Sequence, residues 1–481
     1  MFIKVIKIIY THIMEDIKNF LKTNRTNILF FALYIVVTVI LMLNHEMWRD
    51  ETQPWCLIRD CNFAEFFKIL RIEGHPILWY LILFPLIKMG AGVISMQITG
   101  LVLSIAAVIY LLFKSPFNNL TKFLIIMSSA MLYFYPIVVR NFALIPIILF
   151  IMADIYPKRK EHPYWYSFML ILLSNTHFLT LCFCFINMLI FSAELILKSI
   201  KEKNYKDIFP IFPLLLNALY LYLFYHSALT ESQSYYTYSH NTQPFFTAVQ
   251  NFALMFFQYP FINPAINIIL FYSIFTAVFV RLFIVNKQIF SILLFSFSAH
   301  FYIYYKVWFN GIVVQKAYLL MFLLLFCYLI SVKIKKDNIL NALIIIIFVI
   351  NSIFSIYNVK FELQYNYSCA KETADYIKQN LNNENVFCTV GYPYLFTSIS
   401  AYLPDKKLFS INENKYTSYY DFSRIKKLNN NKVPDCTYYI VQKTIKPAQG
   451  FEFLFESSEP VLSGMGYEDR ESFMVYGKNG N

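Results

Sequence analysis

Charge is what this sequence has least of. Only 15% of its 481 residues are Asp, Glu, Lys or Arg, against 58% hydrophobic and 19% aromatic. No soluble globular fold is built on that balance, so a polytopic α-helical membrane protein is implied. Glycine is scarce at 11, while Phe and Tyr number 50 and 37. The eight cysteines lack metal-ligand spacing. Cys182 and Cys184 sit inside an apolar run as core or lipid-facing filling, and Cys56 and Cys61 could meet in the first loop, a pairing that sequence does not decide. No cleavable signal peptide is visible: residues 1–27 are basic and amphipathic, and the apolar run after them has no small-residue cleavage site. No inverted repeat of the transporter kind is visible either. Polar residues inside the apolar runs are few, Gln97 and Asn217 among them, which ranks a lipid-linked substrate transporter last among the functions considered.

What charge there is carries a sign. The formal net charge is +12, which in a soluble protein would point to nucleic acid. Here it reads as cytoplasmic lysines obeying the positive-inside bias, with the membrane as partner and no nucleic acid. Lys4, Lys7, Lys18, Lys22 and Arg25 precede the first apolar run, 28–43, so the N-terminal segment 1–27 is expected inside, with an interfacial helix over 2–20. That puts the first loop, 44–92, on the outer face.

The stretch Pro76–Met89 decides the count. Were it to cross, Lys158–Lys160 and the cluster Lys198, Lys201, Lys203 and Lys206 would both fall outside. Its short length, with Pro85 and Lys88 inside it, favours a helix lying along the outer surface. The remaining spans are then 93–113, 121–139, 142–156, 163–176, 178–197, 208–226, 264–285, 289–305, 317–332 and 338–357. Together with the first they make about eleven transmembrane helices over 28–357. Residues 358–481 change to mixed charge, with a helix expected at 369–381, strands at 386–390 and 438–442, and a short helix at 398–403. That predicts one small α/β domain outside the membrane.

On this topology a set of polar groups gathers on the outer leaflet. Asp50, Glu51 and His75 come from the first loop, Arg140 and Asn141 from one outer turn, and Asn175, Thr176 and His177 from the next. Tyr235, Tyr236 and His240 lie in the long loop 227–262, and Lys306 and Lys316 bracket the last outer turn. Carboxylates, histidines and cations together suit an anionic lipid head group and a proton transfer. Each has a plainer alternative. Arg140 and Lys316 could be snorkelling cations, His177 a helix-end hydrogen-bonder, and His75–Pro76 a helix start.

The runs WRDETQPW (48–55), EGHPILWY (73–80), VVRNFAL (138–144) and LLSNTHFLTL (172–181) resemble the membrane glycosyltransferases of the GT-C fold. The likeness is to bacterial relatives of the protein mannosyltransferases and of aminoarabinose transferase, the glycosyltransferase-39-like class. It is strongest over residues 28–225 and weakest in the tail. It implies inverting transfer of a sugar from a polyprenyl-phosphate donor to a lipid, glycan or protein acceptor on the periplasmic face of the bacterial inner membrane. On that resemblance Asp50 is the general base and Glu51 and His75 assist it, while Arg49, Arg140, Asn141, His177 and Lys316 bind substrate. Many relatives place another acid where this chain has Arg140–Asn141. Some use a divalent ion such as Mg or Mn and others do not, and the residues named supply too few oxygens to commit the chain to one. An envelope polysaccharide polymerase or ligase is the alternative within the same membrane class, although such enzymes carry their large loop and arginines late in the chain.

Overall fold

A computed structural model of the chain describes residues 15, 19, 21–232, 244–254, 263–306, 313–334, 336–381, 385–423, 433–443, 445, 450–458 and 471–478. The interfacial helix expected at 2–20 lies outside the described residues apart from Glu15 and Asn19, and so do Tyr235, Tyr236 and His240.

Helix dominates. Seven helices among the described residues are long and apolar enough to cross a bilayer: Arg25–Asn44, Ile94–Lys114, Asn141–Lys158, Phe178–Glu202, Tyr205–Glu231, Pro264–Val285 and Asn338–Gln364. They make the chain a membrane-embedded protein. Eleven were expected, and the other four differ for physical reasons. The segment expected at 121–139 is interrupted after the Asn119–Ile126 helix and continues as the wide turn Ala130–Phe134. Pro163–Ser174 has only 12 residues. Lys287–Lys306 has 20 residues but is less apolar than the seven, with Lys287, Gln288, Ser291, Ser296, Ser298, His300 and Lys306 in it. Val313–Ile334 is a 22-residue apolar helix whose side chains are described from Tyr318 to Lys333, and those from Tyr318 to Ile330 are buried on every face, the pattern of a central helix.

Leu78–Lys88 is an 11-residue helix, about 16 Å long, well short of a bilayer's apolar core. It packs against Arg49–Asp60, and Trp55 ties the loop by donating its indole N–H to the Ala91 carbonyl at 3.1 Å.

The last span runs to Gln364 rather than ending at 357. The tail beyond it forms a six-stranded mixed sheet in the order β3-β2-β1-β4-β6-β5. Its strands are β1 (Phe387–Val390), β2 (Phe409–Ser410), β3 (Lys415–Tyr416), β4 (Tyr438–Gln442), β5 (Phe451–Glu456) and β6 (Phe473–Lys478). The β1–β2 and β1–β4 pairs are parallel and the others antiparallel. The Ala370–Asn380 and Phe396–Tyr402 helices close over a core that includes Ile377, Leu395, Ile399, Ile440 and Val475. Each large apolar side chain buried this way stabilises the tail by about 1.5–3 kcal/mol. A disulfide joins Cys388 to Cys436 across 48 residues. Cys56 and Cys61 do not pair and are buried free thiols.

Candidate functional site

Several helix ends converge on one face of the bundle. Arg25–Asn44 ends there and Asn141–Lys158 and Phe178–Glu202 begin there, while Asn338–Gln364 brings Glu362 to the same level. Directly after the first span, the Arg49–Asp60 helix carries the acidic pair in its first turn, where carboxylates favour the helix dipole. Neighbouring residues on a helix point about 100° apart. Asp50 therefore looks into a cleft and Glu51 into the protein.

The cleft is lined by Asp50, Pro54, His75, Trp79, Tyr80, Arg140 and Asn141. Asp50 is 29% exposed, and its Oδ2 accepts from the Arg140 guanidinium at 2.9 Å. A second arm of the same guanidinium reaches Nε2 of His75 at 3.3 Å. Arginine can only donate, so His75 accepts through Nε2 and carries its proton on Nδ1. Burial, and after it the Arg140 charge, push the imidazole down to about 3, which keeps it neutral. Its position follows from Gly74, which ends the Phe63–Glu73 helix in the left-handed conformation at φ 72° and turns the chain into the cleft. The Arg140 segment lies close because residue 100 is glycine: a Cβ there would stand 2.8 Å from a Val139 methyl.

Two groups on the floor of the cleft lack partners. The Asn141 side chain is buried with neither amide atom hydrogen-bonded, and the Trp79 indole N–H is likewise unmatched. A buried polar group left so costs about 1–3 kcal/mol. Beside them the Tyr80 hydroxyl donates to Glu73 Oε2 at 2.6 Å. Burial raises Glu73 to about 7, against the opposing hydrogen bonds from Tyr80 and Gln53.

Glu51 is spent on structure. Its side chain is fully buried; Oε1 accepts from the Val139 N–H at 2.6 Å, and Oε2 from the Trp48 N–H at 3.2 Å and from His45 at 3.0 Å. The other nitrogen of His45 meets Glu362 at 2.9 Å, and Tyr133 donates to Glu362 at 2.6 Å. Burial alone would lower His45, but the carboxylates of Glu362 and Glu51 outweigh it and hold the imidazole up to about 10. A charged histidine thus fastens the end of the first span to the end of the last.

The remaining expected residues are dispersed. Arg49 faces the tail, with its guanidinium over the Tyr394 ring at 4.6 Å and its backbone N–H on Glu471 at 2.8 Å. His177 stands behind His75, ring centres 6.3 Å apart, and its Nδ1 accepts from the Leu179 N–H at 3.1 Å. Lys306 lies over the Tyr305 ring, and the Lys316 side chain is outside the described residues. Sequence reasoning missed Glu73, Trp79 and Tyr80, although all three stand in the 73–80 run, and it missed His45 and Glu362. Glu362 had a signal: it is the one acid of a 27-residue, mostly apolar helix.

Among the described residues, no three His, Cys, Asp or Glu side chains gather as metal ligands. The cleft offers one carboxylate already matched by a guanidinium, a poor cradle for Mg or Mn, which take several oxygens.

The tail forms part of the site's support. Gln53 exchanges two hydrogen bonds with the Tyr420 backbone, at 2.8 and 2.9 Å, and Tyr402 accepts from the Met47 N–H at 2.9 Å. The Phe396–Tyr402 helix packs along Arg49–Asp60. Glu471, fully buried, accepts from the Arg49 N–H and, at 2.6 Å, from Ser368. Compared with family models, with curated proteins and with solved structures, the chain has no match.

Proposed function

We propose that the chain is an inverting membrane glycosyltransferase, with Asp50 as general base and Arg140 as the cation for the phosphate of a polyprenyl-phosphate sugar donor. The observation that carries the reading is the Asp50–Arg140 pair at the mouth of the cleft. A solvent-reachable carboxylate and a two-armed guanidinium are the two groups such a reaction needs, a proton acceptor for the attacking hydroxyl and a partner for the departing phosphate. Each holds the other until substrate arrives. A phosphate that draws Arg140 to itself frees the Asp50 oxygens to accept the proton. His75, neutral and accepting from Arg140, orients the guanidinium. The acceptor is a lipid, glycan or protein hydroxyl.

The same reading places the cleft outside the cytoplasm. Lys158, Lys160, Lys198 and Lys333 lie at the ends of their helices opposite the cleft, where Lys333 meets Asp154 at 2.5 Å and Lys198 reaches the Lys160 carbonyl at 3.5 Å. By the positive-inside bias that end is cytoplasmic. The Cys388–Cys436 disulfide suits a tail in an oxidising compartment, as in a bacterial periplasm. In this reading the chain passes eleven times, through the seven long apolar helices and through the interrupted 121–139 segment, Pro163–Ser174, Lys287–Lys306 and Val313–Ile334, so that residues 1–27 and the tail lie on opposite sides.

The test is Asp50→Asn in proteoliposomes supplied with polyprenyl-phosphate sugars and membrane acceptors. Loss of the base lowers the rate about 10²–10⁴-fold while folding is kept. A variant that transfers at the wild-type rate refutes the assignment.

A further inference from the structure

We propose that the floor of the cleft is a hydroxyl-reading subsite formed by Trp79, Asn141 and Tyr80, with Glu73 as the positioning residue that aims Tyr80. The proposal rests on the reading of the cleft as a glycosyl-phosphate site and adds which residues recognise the sugar ring.

The cleft has two unlike sides. Its wall is charged, and Asp50, Arg140 and His75 answer one another there. Its floor is neutral and incomplete. Trp79 and Asn141 are 1% and 4% exposed, yet the indole N–H and both amide atoms have no partner. Tyr80 spends its O–H on a hydrogen bond to Glu73, which leaves the phenol oxygen's lone pairs as acceptors. The residues lining the cleft thus include one unmatched donor, one acceptor and one amide that is both.

That mixture selects a ligand. A phosphate is acceptor-only at its oxygens: it would take the indole and amide N–H groups but leave the Tyr80 oxygen and the Asn141 carbonyl unanswered. An apolar chain would leave the amide and the indole N–H buried and unmatched. A hydroxyl donates and accepts at once, and a ring of hydroxyls satisfies all three groups. A floor with such unmatched groups discriminates strongly, because an analogue lacking the hydroxyl leaves them unpaired. Glu73 acts through Tyr80: Gln53 also hydrogen-bonds its carboxyl, so the phenol is held from behind.

The test uses full-length protein in nanodiscs and two kinds of probe: decaprenyl phosphate alone, and decaprenyl phosphate carrying glucose, mannose, galactose or arabinose. Wild type is expected to bind at least one sugar-bearing lipid about tenfold or more tighter than the bare lipid. Asn141→Leu and Trp79→Phe lose most of that increment, and their affinity for the bare lipid changes far less. Glu73→Leu behaves like them, whereas Glu73→Gln, which keeps an oxygen for Tyr80, restores the preference. In ¹⁵N-tryptophan-labelled protein the Trp79 indole resonance shifts with the sugar-bearing lipid and not with the bare one, a readout that needs no variant to fold. An unchanged sugar preference in the variants, or an unmoved indole resonance, overturns the subsite, since it leaves water or nothing on the floor. Wild type that binds bare and sugar-bearing lipids equally also overturns it, while the phosphate reading of Arg140 stands. Wild type that binds neither overturns both.

Discussion

Replacing Glu51 by alanine should cost the protein its fold before it costs any chemistry. The carboxylate is fully buried and answers three donors: the Val139 N–H at 2.6 Å, the Trp48 N–H at 3.2 Å and the His45 ring at 3.0 Å. Alanine leaves two backbone N–H groups orphaned, at about 1–3 kcal/mol each. It also strips one of two carboxylates from a charged imidazole, and breaking a buried pair of that kind costs about 3–5 kcal/mol. The three contacts share one site and do not simply add, so a loss of about 4–8 kcal/mol is expected. Against a typical total of about 5–15 kcal/mol, that is most of the stability. Glu51→Gln keeps one carbonyl for the Val139 N–H and should fall between alanine and wild type. The assay is the monodisperse fraction after detergent extraction, followed by thermal melting of what is recovered. Asp50→Asn is the control: its side chain is 29% exposed and asparagine keeps an oxygen for Arg140, so its melting should change far less than that of Glu51→Ala. Should Glu51→Ala remain monodisperse and melt with wild type while transfer is lost, Glu51 is a chemical residue and the assignment to structure fails.

The His45 network has a pH signature. Folding favours the imidazolium, so its contribution is complete below the 6.5 of a free imidazole and is lost as pH climbs through about 10, a decline of a few kcal/mol. A melting temperature flat from pH 6.5 to 10 would contradict this. Arg140→Lys keeps the charge but cannot hold Asp50 and His75 with two arms, so transfer should fall about tenfold or more, and a wild-type rate would make Arg140 a fold residue only. Single cysteines at Lys88 and Lys160, in a background without native thiols, should differ: the first labelled in intact cells by an impermeant thiol reagent, the second silent. Labelling at 160 would reverse the proposed orientation.

The cleft was readable from sequence where its residues stand beside the ends of apolar runs. Asp50, His75, Arg140 and Asn141 do, and hydropathy brings them to one leaflet without any knowledge of packing. The direction each side chain takes was not readable. Asp50 and Glu51 share a motif and a charge, and only the helix they begin sends one to the cleft and the other to His45. Glu362 escaped because apolarity marks where the lipid ends, whereas the helix itself continues through Lys360 to Gln364. Of the eleven spans expected, seven are long apolar helices among the described residues; the other four segments are interrupted, short, less apolar or buried on every face, so length and hydropathy alone do not mark them as spans. In the tail, β2 and β3 have two residues each, too few to show a period of two.

The clamp of Glu471 and Tyr420 on the acid helix sets an order of events during synthesis. The bond from Arg49 to Glu471 joins residues 422 apart, and that from Gln53 to Tyr420 residues 367 apart. At about 5–20 residues per second, the Asp50 segment leaves the ribosome roughly 20–80 s before Glu471 does. For that interval the Arg49–Asp60 helix has been made while its support does not yet exist. A nascent or prematurely terminated chain therefore has every wall residue of the cleft and lacks the clamp that fixes their geometry. The geometry of the cleft is thus complete only once the tail has been made and has docked on the Arg49–Asp60 helix.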